Sequence, residues 1–103
     1  MHHPKISLCH RKEEPEKSVL YIVGTPIGNL GDFSPRAINI LNNVSMIACE
    51  DTRNTKKLLN HFTIKNKLIS VNQNNIKEKI KFLIGELKKE KSIAIVSDAG
   101  MPL

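Results

Sequence analysis

The chain has 103 residues, with 16 Lys and Arg against 10 Asp and Glu, a net charge of +6, two Cys, no Trp and one Tyr. That length holds one small domain. The hydrophobic share of 40% with 25% charge is globular rather than disordered. Two Cys are too few for a disulfide-dense secreted scaffold, and the longest apolar run, five residues, falls far short of the ~20 that span a bilayer.

Residues 1–18 are polar, carry Pro4 and Pro15, and show neither helical nor strand periodicity. They lack the apolar stretch of a secretory signal, and Glu13, Glu14 and Glu16 do not suit an organelle transit peptide. They read as a flexible N-terminal extension, with 19–103 as the domain. His2, His3, Cys9 and His10 have no spacing of a known metal site, so no metal is expected. The extension holds four basic and three acidic residues, the rest twelve and seven, so the positive excess belongs to the domain.

Val19-Leu20-Tyr21-Ile22-Val23 is a β-branched and aromatic run, the pattern of a strand buried on both faces. Residues 24–32, GTPIGNLGD, form a loop. Ser34 before Pro35 marks a helix start, and Ala37, Ile40, Leu41 and Val44 follow at helical spacing, with Ile38 beside them. Ser45-Met46-Ile47-Ala48-Cys49 is a second buried strand. Thr52 or Asp51 caps a short helix carrying Leu58, Leu59 and Phe62. Lys67-Leu68-Ile69-Ser70-Val71 is a weaker third strand, followed by a polar turn over 72–75. Ile76, Ile80, Leu83, Ile84 and Leu87 form the clearest helical stripe, with Asn75 and Glu78 as a capping pair. Lys88, Lys89 and Lys91 suit that helix's C-terminal dipole. Ser92-Ile93-Ala94-Ile95-Val96 is the fourth strand. The β-α-β-α-β-α-β order predicts an α/β domain with a mainly parallel sheet and flanking helices.

Ligands of such sheets bind outside the carboxyl ends of the strands. Those ends are GTPIGNLGD, EDTR, NQNN and SDAGMP, the most polar or glycine-rich segments of the domain. The first lacks both the G-x-G-x-x-G spacing of a dinucleotide site and the Gly-Lys-Ser/Thr of a phosphate loop. Glu50, Asp51 and Arg53 have two readings. They can position a substrate or move a proton, or Asp51 caps the helix while Glu50 pairs with Arg53. Asp98-Ala99-Gly100 can accept hydrogen bonds from an amine or hydroxyl, or form a plain turn. No zinc spacing and no G-x-S-x-G elbow occurs, and His61 stands alone. The helix lysines read as solvated faces. Phe33, Phe62 and Phe82 supply few stacking platforms, so RNA contact is open mainly through phosphates.

Taken together, LYIVGTPIGNLGDFSPRAINIL, IACEDTRNTKKLL and IAIVSDAGMPL resemble the N-terminal domain of the ribosomal RNA small subunit methyltransferase I family, within the tetrapyrrole-methylase superfamily. The resemblance spans residues 19–103. It implies S-adenosylmethionine-dependent methylation of a cytidine ribose 2′-oxygen in 16S ribosomal RNA, on the small ribosomal subunit, by a cytoplasmic enzyme without a membrane anchor. It implies that Thr25, Pro26, Ile27 and Gly28, with Asp98, Ala99 and Gly100, line the cofactor cleft, and that Glu50, Asp51 and Arg53 lie on the substrate side. Met101 departs from the family's usual Thr, and Asn72 and Asn74 stand where His is common. Family members continue beyond this loop into a second domain. The expectation is therefore a partial methylase domain, with doubtful activity alone, that forms a homodimer or joins a complementing C-terminal half. The competing expectations are a non-catalytic half that assembles with a separately encoded domain, and a relative that methylates a tetrapyrrole carbon.

Overall fold

A computed structural model describes residues 14–25 and 30–97. Four strands and three helices follow in the expected order: β1 (Leu20–Gly24), α1 (Pro35–Asn43), β2 (Met46–Cys49), α2 (Thr52–His61), β3 (Leu68–Ser70), α3 (Ile76–Lys88) and β4 (Ile93–Ser97). A short 3-10 turn, Leu30–Asp32, precedes α1. The sheet is wholly parallel in the order β1-β4-β2-β3. Leu20 pairs with Ile93 and Gly24 with Ser97, Cys49 lies beside Val96, and Ser70 lies beside Cys49.

Local signals set the helix ends. The Ser34 hydroxyl accepts from the Ala37 N–H at 3.0 Å, satisfying one of the donors that a helix N-terminus leaves without an internal partner, and Pro35 occupies the first turn, where its missing N–H costs nothing. At the other end of α1, the Asn66 amide donates to the Leu41 and Val44 carbonyls, both at 2.9 Å. A side chain 22 residues or more along the chain thus closes this helix end.

The strand order sends the helices to opposite faces. Ile40, Leu41, Val44, Leu58 and Leu59 pack with Val23, Ile47, Cys49, Ala94 and Val96 on one face. Leu83 of α3 packs with Met46, Ala48 and Ile93 on the other, flanked by the half-buried Ile69, Leu87 and Ile95. Two helices therefore cover one face and one helix covers the other.

Two local expectations need correction and one is refined. The first strand is not buried on both faces. It is an edge strand, with Ile22 61% and Leu20 41% exposed, because α3 does not reach across β1. The stripe on α3 is only partly core: Leu83 is buried and Leu87 half-buried, whereas Ile76, Ile80 and Ile84 are exposed. Asn75 makes no side-chain cap for α3. Its oxygen accepts from the Asn72 N–H at 2.9 Å and its amide donates to the Ser70 carbonyl at 3.1 Å, so it shapes the turn instead.

Residues 14–18, within the segment read as a flexible extension, bond to the domain. Glu14 forms a two-pronged pair with Arg36 at 2.7 and 2.8 Å, and this bond holds the Arg36 guanidinium above its ordinary pKa. The Ser18 hydroxyl donates to the Leu87 carbonyl at 2.8 Å. The histidines and Cys9 of the extension lie outside the described residues.

Candidate functional site

Parallel pairing brings four strand ends to one edge in the spatial order Thr25, Ser97, Glu50, Val71. The first two are joined directly. The Thr25 N–H donates to the Ser97 carbonyl at 3.0 Å, and its hydroxyl lies 3.4 Å from the same oxygen. This continues the β1–β4 ladder one residue past β1. The third and fourth ends are joined in the same way, by the Val71 N–H donating to the Cys49 carbonyl at 2.8 Å. Glu50 follows β2 on the far side of β4, so it stands about 10 Å from Thr25, two interstrand spacings of ~4.8 Å.

Of the residues expected at a cofactor cleft, Thr25 is placed at this edge. Pro26, Ile27, Gly28, Asp98, Ala99 and Gly100, along with Met101, lie outside the described residues. Their roots, Thr25 and Ser97, are in contact. Among the described residues the neighbouring space is open: a Cβ added to Gly24 meets none of their atoms within 4 Å. A surface cavity of about 210 Å³ runs beside it between Ile22, Gly24, Ser34 and Arg36. Among the described residues, this volume at the β1 end, flanked by the start of α1, leaves room for part of an extended organic cofactor.

The three candidate catalytic side chains are close in space but differently engaged. Asp51 caps α2: its Oδ1 accepts from the Arg53 N–H at 2.9 Å and from the Asn54 N–H at 3.4 Å. Arg53 pairs with the same carboxylate oxygen at 3.8 Å, and its side chain is 90% exposed. The ion pair of Arg53 is therefore with Asp51 rather than with Glu50, and capping falls to Asp51 rather than Thr52. Glu50 is exposed and makes no hydrogen bond or ion pair to another described residue. At this corner one carboxylate is held by the helix end and the other is open to a ligand.

Asn72 and Asn74 stand at the end of β3. The Asn72 Oδ1 accepts from the Asn74 and Asn75 N–H groups at 2.8 and 3.2 Å, a local turn that absorbs its polarity. Among the described residues no three His, Cys, Asp or Glu side chains gather as metal ligands, and no helix is long and apolar enough to cross a membrane. Sequence reasoning missed the cavity of about 380 Å³ along α2, lined by Asp51, Arg53, Asn54, Lys56, Lys57 and Asn60. Its signal was available: Arg53, Lys56, Lys57 and Asn60 recur at i, i+3, i+4 and i+7.

A wholly parallel sheet with two helices on one face and one on the other defines an α/β domain. Residues 19–103 match the family model of the tetrapyrrole (corrin/porphyrin) methylases, and the chain belongs to that family. It is similar to proteins named ribosomal RNA small subunit methyltransferase I. The protein of that name from Buchnera aphidicola subsp. Schizaphis graminum is 54% identical over 85 residues, which cover 82% of this chain and 30% of that protein. That from Halalkalibacterium halodurans is 52% identical over 91 residues, 88% of this chain and 32% of that protein. That from Escherichia coli O157:H7 is 45% identical over 94 residues, 91% of this chain and 33% of that protein. The chain thus spans about a third of the length of these relatives.

Proposed function

We propose that this chain supplies the S-adenosylmethionine-binding edge of a cytoplasmic enzyme that methylates the ribose 2′-oxygen of a cytidine in 16S ribosomal RNA. The observation that carries the reading is the junction of Thr25 with Ser97. Thr25, bonded to Ser97, begins the first of the two segments with which the family resemblance lines a cofactor cleft, and Ser97 immediately precedes the second. The name that the relatives bear supports ribosomal RNA as the methyl acceptor. Because those relatives are about three times longer, the rest of the enzyme comes from further polypeptide, joined to this domain or assembled with it.

In this reading Thr25, Pro26, Ile27 and Gly28 hold one side of the cofactor, and Asp98, Ala99 and Gly100 hold the other. The bound cofactor supplies an electrophilic methyl group on sulfur. The chain's own task is to align a ribose hydroxyl with that methyl and to relieve it of its proton. Glu50 is the carboxylate free for the second part. Arg53, extended into solvent, meets a phosphate of the same RNA. Asp51 acts through the helix it caps, as a positioning residue.

Disrupting the gene in its source cell and mapping ribose methylation of 16S RNA by mass spectrometry tests the proposal. One 2′-O-methylcytidine is expected to disappear and to return with the wild-type gene. Glu50→Gln is expected not to restore it, whereas Asp51→Asn, which keeps a good cap, restores most of it. Unchanged ribose methylation in the disrupted strain, or a methyl group lost from a corrin precursor instead, overturns the reading.

A further inference from the structure

We propose that the outward face of α2 and the turn after it form a docking surface for the phosphate backbone of RNA. This inference rests on the ribosomal RNA reading above and adds to it the surface that holds the substrate. Residues 52–67 contain Arg53, Lys56, Lys57, Lys65 and Lys67 and no acidic residue. Five positive charges in 16 residues equal the whole excess of the domain, twelve basic against seven acidic residues over 19–103. The buried stripe of α2 is Thr55, Leu58 and Leu59, so the cationic stripe faces away from the sheet.

The lysines on this face are not neutralised from within. Lys56, Lys57, Lys65 and Lys67 make no ion pair with another described residue, and Asp51, the one acid among the described residues that line the cavity, is engaged by two backbone N–H groups and Arg53. On α3, Lys77, Lys81 and Lys88 also make no ion pair with another described residue, but that helix carries the acids Glu78 and Glu86. There Lys89 and Lys91 both pair with Glu86 at 3.2 Å, and Lys79 lies over the Phe82 ring. Clustered uncompensated cations raise the positive potential of one surface and favour a polyanion there.

The lining chemistry selects the kind of polyanion. Arg53, Lys56 and Lys57 supply charge, and Asn54 and Asn60 supply amides that can donate to phosphate or sugar oxygens. Among the described residues no aromatic, Leu, Ile, Val or Met side chain lines the cavity. That composition holds a backbone without stacking on bases, and it gives a lipid bilayer no apolar wedge to receive. Position matters equally. α2 starts at the carboxyl end of β2, so Arg53 lies next to Glu50, and Lys56 and Lys57 lie about one 5.4 Å turn further along. RNA held along α2 would enter the strand-end edge from the Glu50 side.

Fluorescence anisotropy of a fluorescein-labelled RNA hairpin with the full 103-residue chain, across a salt series, tests the proposal. Lys56→Ala with Lys57→Ala keeps helix propensity and is expected to weaken binding about tenfold at low salt. It should also flatten the salt dependence by ~0.7–0.9 logarithmic units for each phosphate that is no longer neutralised. Lys77→Ala with Lys81→Ala removes the same charge from α3 and is expected to change neither. Circular dichroism checks that both variants keep the wild-type fold. Equal losses in the two variants, an unchanged salt slope in the first, or equally strong binding to phosphatidylserine vesicles overturns the docking surface. RNA binding that persists unaltered removes the docking surface alone; a wild-type chain that binds no RNA at low salt removes the RNA reading as well.

Discussion

The two faces of the sheet are made from alternate residues of the same strands, yet they are finished differently. On one face, Leu41, fully buried, and its neighbours from α1 and α2 seal the strands. On the other, α3 covers the β4 and β2 strands, while Ile22 of β1 faces solvent and Ile95 beside it is only half-buried. The cause is topological. The chain steps from β1 past β4's place to β2 and on to β3 in one direction, placing two helices on one side, then returns to β4 with one helix on the other. The lesson is that burial follows strand order, not the apolar character of the strand itself. β1 is as hydrophobic as β4 and much more exposed. Among the described residues, Gly24 at the end of this strand also has free space beside it.

The largest difference is expected from removing aliphatic bulk on the two faces. Leu41→Ala opens a cavity in the two-helix face and should cost ~3–5 kcal/mol, read from urea denaturation. Ile22→Thr, at a solvent-facing position, should stay within ~0.5 kcal/mol. Equal costs would break the comparison.

A smaller effect belongs to α3. Hydrogen bonds from Lys89 and Lys91 hold the Glu86 carboxyl below its usual pKa. The folded form therefore favours the ionised acid, and its contribution is complete above the unfolded value of ~4.3 and fades as pH falls through the lower folded value. Denaturation midpoints of Glu86→Gln and wild type should differ near neutrality and converge in acid. A difference that holds constant with pH would show that the carboxylate charge has no part in it.

Much of this architecture is legible in the sequence because its signals are local. Ser34-Pro35 announces α1, Asp51 announces α2 among two candidates, and the apolar runs mark the strands. What was not legible depends on residues distant in sequence. Nothing near Asn66 shows that its amide will close α1 through Leu41 and Val44. The capping reading of Asn75 failed because the Asn72 backbone and the Ser70 carbonyl compete for the same side chain. The α3 stripe does not show which of its residues the sheet covers, because periodicity gives a face, not the width of the sheet available to it. At the site, the polar strand ends were visible as words in the sequence. Their spatial order was not, since the neighbour of β1 is β4 and not the next strand in the chain.

That adjacency is the central claim, and an isotope-labelled sample titrated with S-adenosylmethionine tests it residue by residue. The account predicts amide shift changes at Gly24, Thr25 and Ser97, with smaller ones at Glu50, and none along Ser45, Lys67 and Ser92 at the opposite edge. Changes concentrated at that opposite edge, or an unaltered spectrum at saturating cofactor, would contradict it.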